Sequence, residues 1–99
     1  MILPTLAGML LLSTLCLAQG PRILIVTDLE GVGGVNDPDE QLLPGQRRYP
    51  ESRRILTGEV NAAAEGALAG GASQVVIWDA HAGSRTLSVD EIHAGAQLI

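Results

Sequence analysis

The four apolar residues Ile23, Leu24, Ile25 and Val26 run without a break into Thr27-Asp28-Leu29-Glu30-Gly31. An uninterrupted run of that kind reads as a strand covered on both faces, as in a parallel sheet. Residues two apart on an extended chain point to the same side. Asp28 and Glu30 are therefore expected to project together where the strand ends and Gly31 lets the chain turn. Two carboxylates that close repel each other unless a cation lies between them or water solvates both. A divalent metal and a plain solvated turn each meet that requirement at this point.

A second apolar run, Val75-Val76-Ile77-Trp78, lies further along. Between the two runs the spacing predicts a helix over Glu51–Ala69. Pro50 stands at its start, where a missing N–H costs nothing. Leu56, Val60, Ala63 and Ala67 form one apolar stripe. Alanines 62, 63, 64 and 67 are small enough for close packing on a sheet, and Gly70-Gly71 ends the helix. Strand, helix, strand predicts a βαβ unit with parallel strands and a right-handed crossover. The stretch from Gly31 to Arg48, punctuated by Gly33, Gly34, Pro38, Pro44 and Gly45, is a long loop of the kind that carries function. Ala96-Gln97-Leu98-Ile99 reads as the start of a third strand, so the chain is expected to be the N-terminal part of something longer. The fold class is α/β, the parallel βαβ start of a three-layer domain.

Parallel sheets bind ligands beyond the carboxyl ends of their strands. The first strand ends at Asp28 and Glu30, and the second at Asp79-Ala80-His81. Asp28, Glu30 and His81 together make a mixed oxygen and nitrogen set that suits zinc, manganese or iron. The one cysteine, Cys16, lies in the leader, so an open catalytic site is favoured over a structural one. Asp28, with two oxygens, is suited to bridge two ions of a hydrolytic site. Gly31-Val32-Gly33-Gly34-Val35-Asn36 has the flavour of a dinucleotide loop. Asn36 occupies the third glycine position and Pro38 follows instead of a helix, so it reads as a flexible turn. Asp79 either supports a ligand or simply ends its strand, and His93 reads as a surface residue. Ser84, Arg85 and Thr86 carry no assigned role.

The net charge of −5, with one Trp and one Tyr, excludes a nucleic-acid interface. Arg47, Arg48, Arg53 and Arg54 cluster, but Glu51 and Glu59 lie among them, which reads as a solvated helix start. Residues 1–18 carry no charged side chain. Their apolar stretch of about 12 residues is short for a membrane span. Cys16 and Ala18 are small residues placed for cleavage after Ala18, so 1–18 is read as a signal peptide without a basic residue near Met1. An uncleaved anchor is its rival. Leu15 before Cys16 argues against a lipoprotein signal. Cleavage would leave residues 19–99 free of cysteine, with no stable membrane insertion and a secreted or periplasmic location.

The motifs taken together resemble the N-terminal part of the zinc D-aminopeptidases associated with dipeptide transport. That family opens on Ser-x-Asp-x-Glu-Gly, and the sequence reads Val26-Thr27-Asp28-Leu29-Glu30-Gly31. The likeness continues through Tyr49-Pro50-Glu51-Ser52-Arg53, Thr57-Gly58-Glu59-Val60-Asn61 and Trp78-Asp79-Ala80-His81, over nearly all of residues 22–99. The resemblance implies that Asp28, Glu30 and His81 are ligands of zinc, two ions in the whole protein, with Asp28 bridging. It implies that 19–99 is the N-terminal part of a metallopeptidase domain acting on short peptides, assembled as a homo-oligomer. The family's remaining ligands and its catalytic histidine are expected beyond Ile99, so no catalytic residue is assigned here and the isolated stretch is expected to be inactive. Val26 stands where the family has serine and lacks any hydroxyl for a hydrogen bond. Two alternatives remain: a magnesium phosphatase of the haloacid dehalogenase type, with Asp28 as nucleophile, and a non-catalytic secreted metal-binding domain.

Mass spectrometry of the mature protein is expected to show loss of about the first 18 to 20 residues. An intact Met1 on a cytosolic product would overturn the signal peptide.

Overall fold

The computed structural model describes residues 19–99. The signal-peptide reading lies outside them. Strand β1 spans Arg22–Thr27, helix α1 spans Tyr49–Ala69, and β2 spans Gln74–Asp79. A short 3-10 turn at Val89–Glu91 leads into β3, Ala96–Leu98. The strands lie in the order β1-β2-β3, each pair parallel. Thr27 stands opposite Asp79, so β1 and β2 end level with one another. The βαβ unit is therefore present, with a third parallel strand beside it.

Alternation along the strands decides where the core sits. Val75, Ile77 and Asp79 turn one way and are buried, as is Thr27 at the end of β1. Leu24, Val26 and Trp78 turn the other way and are 58%, 54% and 48% exposed. The expectation of strands covered on both faces thus holds for one face only. Among the described residues, a single helix supplies a single cover.

Helix α1 begins at Tyr49, two residues ahead of the expected Glu51, with Pro50 in its first turn. Its buried side is Tyr49, Ser52, Leu56, Thr57, Val60 and Ala64. Ala63, expected in the stripe, is exposed, and Ala64 takes its place. The contact includes the row of residues four apart, 52, 56, 60 and 64. Leu29, Val35 and Leu87 come from the loops to complete the core with Leu56, Val60, Ala64, Val75 and Ile77.

A polar row runs beside this apolar ridge. Arg53 Nε donates to the Thr86 carbonyl at 3.0 Å. Thr57 Oγ1 accepts the Ser88 N–H at 3.1 Å. Asn61 Nδ2 donates to the Glu91 carbonyl at 2.6 Å, and its Oδ1 accepts the His93 N–H at 2.8 Å. Residues four apart on one helix face thus stitch down the whole segment from Thr86 to His93. The arginine cluster is solvated only in part: Arg47 pairs with Glu40 and Arg48 with Glu51, while Arg53 reaches across to the loop.

Ile77 is fully buried at the centre of the sheet. Ile77→Ala is expected to lower unfolding free energy by about 2–5 kcal/mol. Asn61→Ala, which strips partners from one carbonyl and one N–H, should cost about 1 kcal/mol. Chemical denaturation followed by Trp78 fluorescence measures both.

Candidate metal centre

Leu29 is fully buried, and that fact aims its neighbours. With Leu29 turned into the core, Asp28 and Glu30 on either side of it turn out together. The strand has already ended at Thr27, so the pair is set by one anchored leucine rather than by the pleat. Gly31 follows at φ 92°, a left-handed conformation that suits glycine and swings the chain away from the two acids.

His81 arrives from the end of β2 and is 5% exposed. Its Nε2 lies 2.6 Å from the Leu42 carbonyl. A carbonyl only accepts, so Nε2 carries the hydrogen. Nδ1 then faces Asp28 Oδ1 at 2.7 Å and Glu30 Oε2 at 3.3 Å. One donor atom from each of the three residues can be chosen so that all lie within 4.8 Å of one another. Three electron-rich groups converge on one point, and a proton on Nδ1 or a cation must hold them. The set of two carboxylate oxygens and one imidazole nitrogen fits zinc. Tying the other ring nitrogen to a backbone carbonyl is the usual way a metal-binding histidine is oriented.

The long loop exists to deliver that carbonyl. Gln41 is fully buried. Its Oε1 accepts the N–H groups of Asn36 and Asp37 at 3.0 and 2.9 Å, and its Nε2 donates to the Gly34 carbonyl at 2.8 Å. Gln46 Oε1 accepts from Leu42 and Leu43 at 2.7 and 2.8 Å, and its Nε2 donates to the Pro38 carbonyl at 3.0 Å. The two glutamines fold the loop onto itself and fix Leu42 between them. A pocket of about 180 Å³ opens beside the cluster, lined by Glu30, Gly31, Val35, Asn36, Asp37, Pro38 and Leu42.

The structure thus brings Asp28, Glu30 and His81 together. His93 stands outside the cluster, half-buried, its Nδ1 accepting the Gly95 N–H at 3.0 Å. The glycine-rich stretch from Gly31 to Asn36 does form a turn and no helix. Leu42, Gln41 and Gln46 escaped the sequence reading. Leu42 acts through its backbone, which leaves no signature in residue type, and the glutamines are ordinary until the loop closes on them.

The electrostatics follow from the contacts. Asp28 is held below the usual carboxylate range first by the hydrogen bond that Glu30 donates while it keeps its proton, and then by His81 and the Leu29 N–H. For His81, burial opposes the charged ring, but the Leu42 carbonyl, Asp28 and the charge of Glu30 outweigh it, and the net shift is upward. Without metal, the stabilisation from His81 is complete below its unfolded pKa and is lost as pH rises through the raised folded one. The Asp28 contribution is present above its unfolded pKa and lost as pH falls through the lowered one. The ion pair therefore spans the interval between those two folded values.

The sequence profile of the D-aminopeptidase family matches residues 22–99. The chain is 32% identical over 78 residues to the D-aminopeptidase of Bacillus subtilis (strain 168), covering 79% of this chain and 28% of that protein. It is similar, with a TM-score of 0.70 and 32% identity, to the solved structure of the zinc-dependent D-aminopeptidase DppA from Bacillus subtilis, described as a self-compartmentalizing protease. That match covers 81% of this chain and 28% of the DppA chain. The chain thus spans a little over a quarter of the length of these relatives.

A metal on Nδ1 has to displace the proton that the two carboxylates hold there. Zinc affinity is expected to rise by about tenfold per pH unit below the raised His81 pKa and to level off above it. Isothermal titration across pH 5 to 9, with proton release read from buffers of different ionisation enthalpy, measures this.

Proposed function

The chain belongs to the D-aminopeptidase family, and on that premise we propose that it forms part of a zinc-dependent aminopeptidase that hydrolyses short peptides. The observation that carries the reading is His81: its Nε2 hydrogen is given to Leu42, and its Nδ1 is aimed at the oxygens of Asp28 and Glu30. Family membership sets aside the phosphatase alternative.

In this reading Asp28, Glu30 and His81 are zinc ligands. Zinc held there supplies Lewis acidity toward a scissile carbonyl and eases ionisation of an attacking water. Asp28 Oδ1 accepts the Leu29 N–H at 2.9 Å, which steadies the carboxylate that would hold the zinc. His81 keeps a fixed tautomer because Leu42 takes its other hydrogen. The pocket beside Glu30, apolar at Val35, Pro38 and Leu42 and acidic at Asp37, offers a short peptide a place for a small side chain and a free amine.

The relatives are more than three times as long as the matched region, and the activity is proposed for the whole protein, with further ligands and the catalytic group proposed to lie outside these residues. Export to a secreted or periplasmic location is proposed from residues 1–18. Among the described residues no helix is long and apolar enough to cross a membrane. Because DppA is described as self-compartmentalizing, the whole protein is proposed to assemble with copies of itself.

Metal content and hydrolysis of short D- and L-peptides by the full-length protein test the reading. Asp28→Ala and His81→Ala should each lower zinc affinity by roughly 100-fold or more and abolish turnover. Asp28→Ala is expected to be the more severe, since a bridging ligand serves both ions. His93→Ala should leave both nearly unchanged. The isolated 99-residue chain should show no turnover. Zinc content and activity at wild-type level in Asp28→Ala would end the proposal.

A further inference from the structure

Asp79 is a buried carboxylate that the proposed ligand set leaves unused. It is 3% exposed and, among the described residues, stands outside the cluster of Asp28, Glu30 and His81. Its Oδ2 accepts two backbone hydrogens, from Thr86 at 2.6 Å and Leu87 at 2.8 Å. The Thr86 carbonyl accepts from Arg53 Nε at 3.0 Å, and the Leu87 carbonyl accepts from Arg53 Nη2 at 3.5 Å. The peptide unit between Thr86 and Leu87 therefore lies between a carboxylate and a guanidinium. Its N–H points to the anion and its C=O to the cation. Hydrogen bonds to ionised groups are roughly twice as strong as neutral ones, and more so away from water.

The far side of this clamp is His81. Ser84 N–H donates to the His81 carbonyl at 2.9 Å, and Thr86 Oγ1 donates to the same oxygen at 3.4 Å. Between the two ends, Ala82, Gly83 and Ser84 all take positive φ, at 33°, 82° and 58°. Left-handed conformations at alanine and serine are costly and persist only where the surroundings enforce them. The turn that leaves His81 is thus strained, and Asp79 holds its other end.

We propose that Asp79, backed by Arg53, is the positioning residue of the metal centre: it locks the loop from Ala80 to Leu87 so that His81 keeps Nδ1 on Asp28 and Glu30. This rests on the reading of those three residues as zinc ligands. Asp79 Oδ1 is buried without a hydrogen-bond partner. In Asp79→Asn, an amide oxygen can still accept from Thr86 and Leu87. The amide N–H₂ then falls where no acceptor waits, so even the isosteric change should loosen the clamp.

The experiment is zinc affinity by chelator competition on the full-length protein, with the ¹⁵N resonances of the His81 ring recorded on the zinc-loaded form and unfolding measured in parallel. Asp79→Ala is expected to weaken zinc binding about 10- to 100-fold and Asp79→Asn about tenfold, as for groups that orient a metal ligand, with loss or broadening of the metal-bound Nδ1 signature. Asn61→Ala, which cuts the same helix-to-segment row further from the site, should lose stability but keep zinc affinity within about twofold of wild type. Wild-type affinity and an unchanged His81 spectrum in folded Asp79→Asn would overturn the inference, and that variant decides the matter if Asp79→Ala does not fold. So would an equal loss of affinity in Asn61→Ala, which would show a merely structural role. Full zinc affinity in His81→Ala would overturn the ligand reading itself, a separate outcome from failure at Asp79 alone.

Discussion

The arrangement turns on one hydrogen. A neutral imidazole has a single N–H, and His81 gives it to the Leu42 carbonyl 2.6 Å away. In that neutral ring the lone pair of Nδ1 would face Asp28 and Glu30, which in their ionised form have nothing to donate, so the position calls for a proton or a cation. A solvated turn with two acids in water would not need a buried histidine held in one tautomer. The carboxylates are more than half exposed, at 63% and 58% of their side chains, while the ring is at 6%. The rigid member of the set is therefore the histidine, and the acids are the adaptable ones.

Two loops must arrive together for that hydrogen bond to form. The loop after β1 brings Leu42, through contacts that Gln41 and Gln46 make within it. The loop after β2 brings His81, fastened by Asp79 from the strand and Arg53 from the helix. In both, polar side chains satisfy backbone groups that regular secondary structure would otherwise pair. Apolar burial fixes the strands and helix, and side-chain hydrogen bonds to backbone groups fix the loops.

That division explains what the sequence disclosed. Strand and helix positions were legible because apolar periodicity is a property of residue type. β1, Arg22–Thr27, is built around the apolar run from Ile23 to Val26. The juxtaposition of Asp28 and Glu30 with His81 was legible because parallel strands of equal register end at one edge, and Thr27 does stand opposite Asp79. The cause of the Asp28 and Glu30 pairing was not legible, since it comes from the burial of Leu29 beyond the strand. The shift from Ala63 to Ala64 in the core depends on which side of the helix meets the sheet, which residue type alone does not say. The row of Arg53, Thr57 and Asn61 had a visible signal in its spacing of four, but only the path of the segment from Thr86 to His93 shows what it binds.

A metal at this position would do more than bind. His81 is the point at which the two loops meet, and Asp28 and Glu30 continue directly from β1 into the first of them. Zinc held by the three would therefore tie the ends of both strands and both loops through one centre. Its binding free energy would add to folding in the same region, because the donors are brought together only in the folded chain. The strain at Ala82 and Ser84 and the repulsion between two adjacent acids are local costs of placing the donors. Both lie within a few residues of the proposed ligands, where bound zinc would offset them most directly.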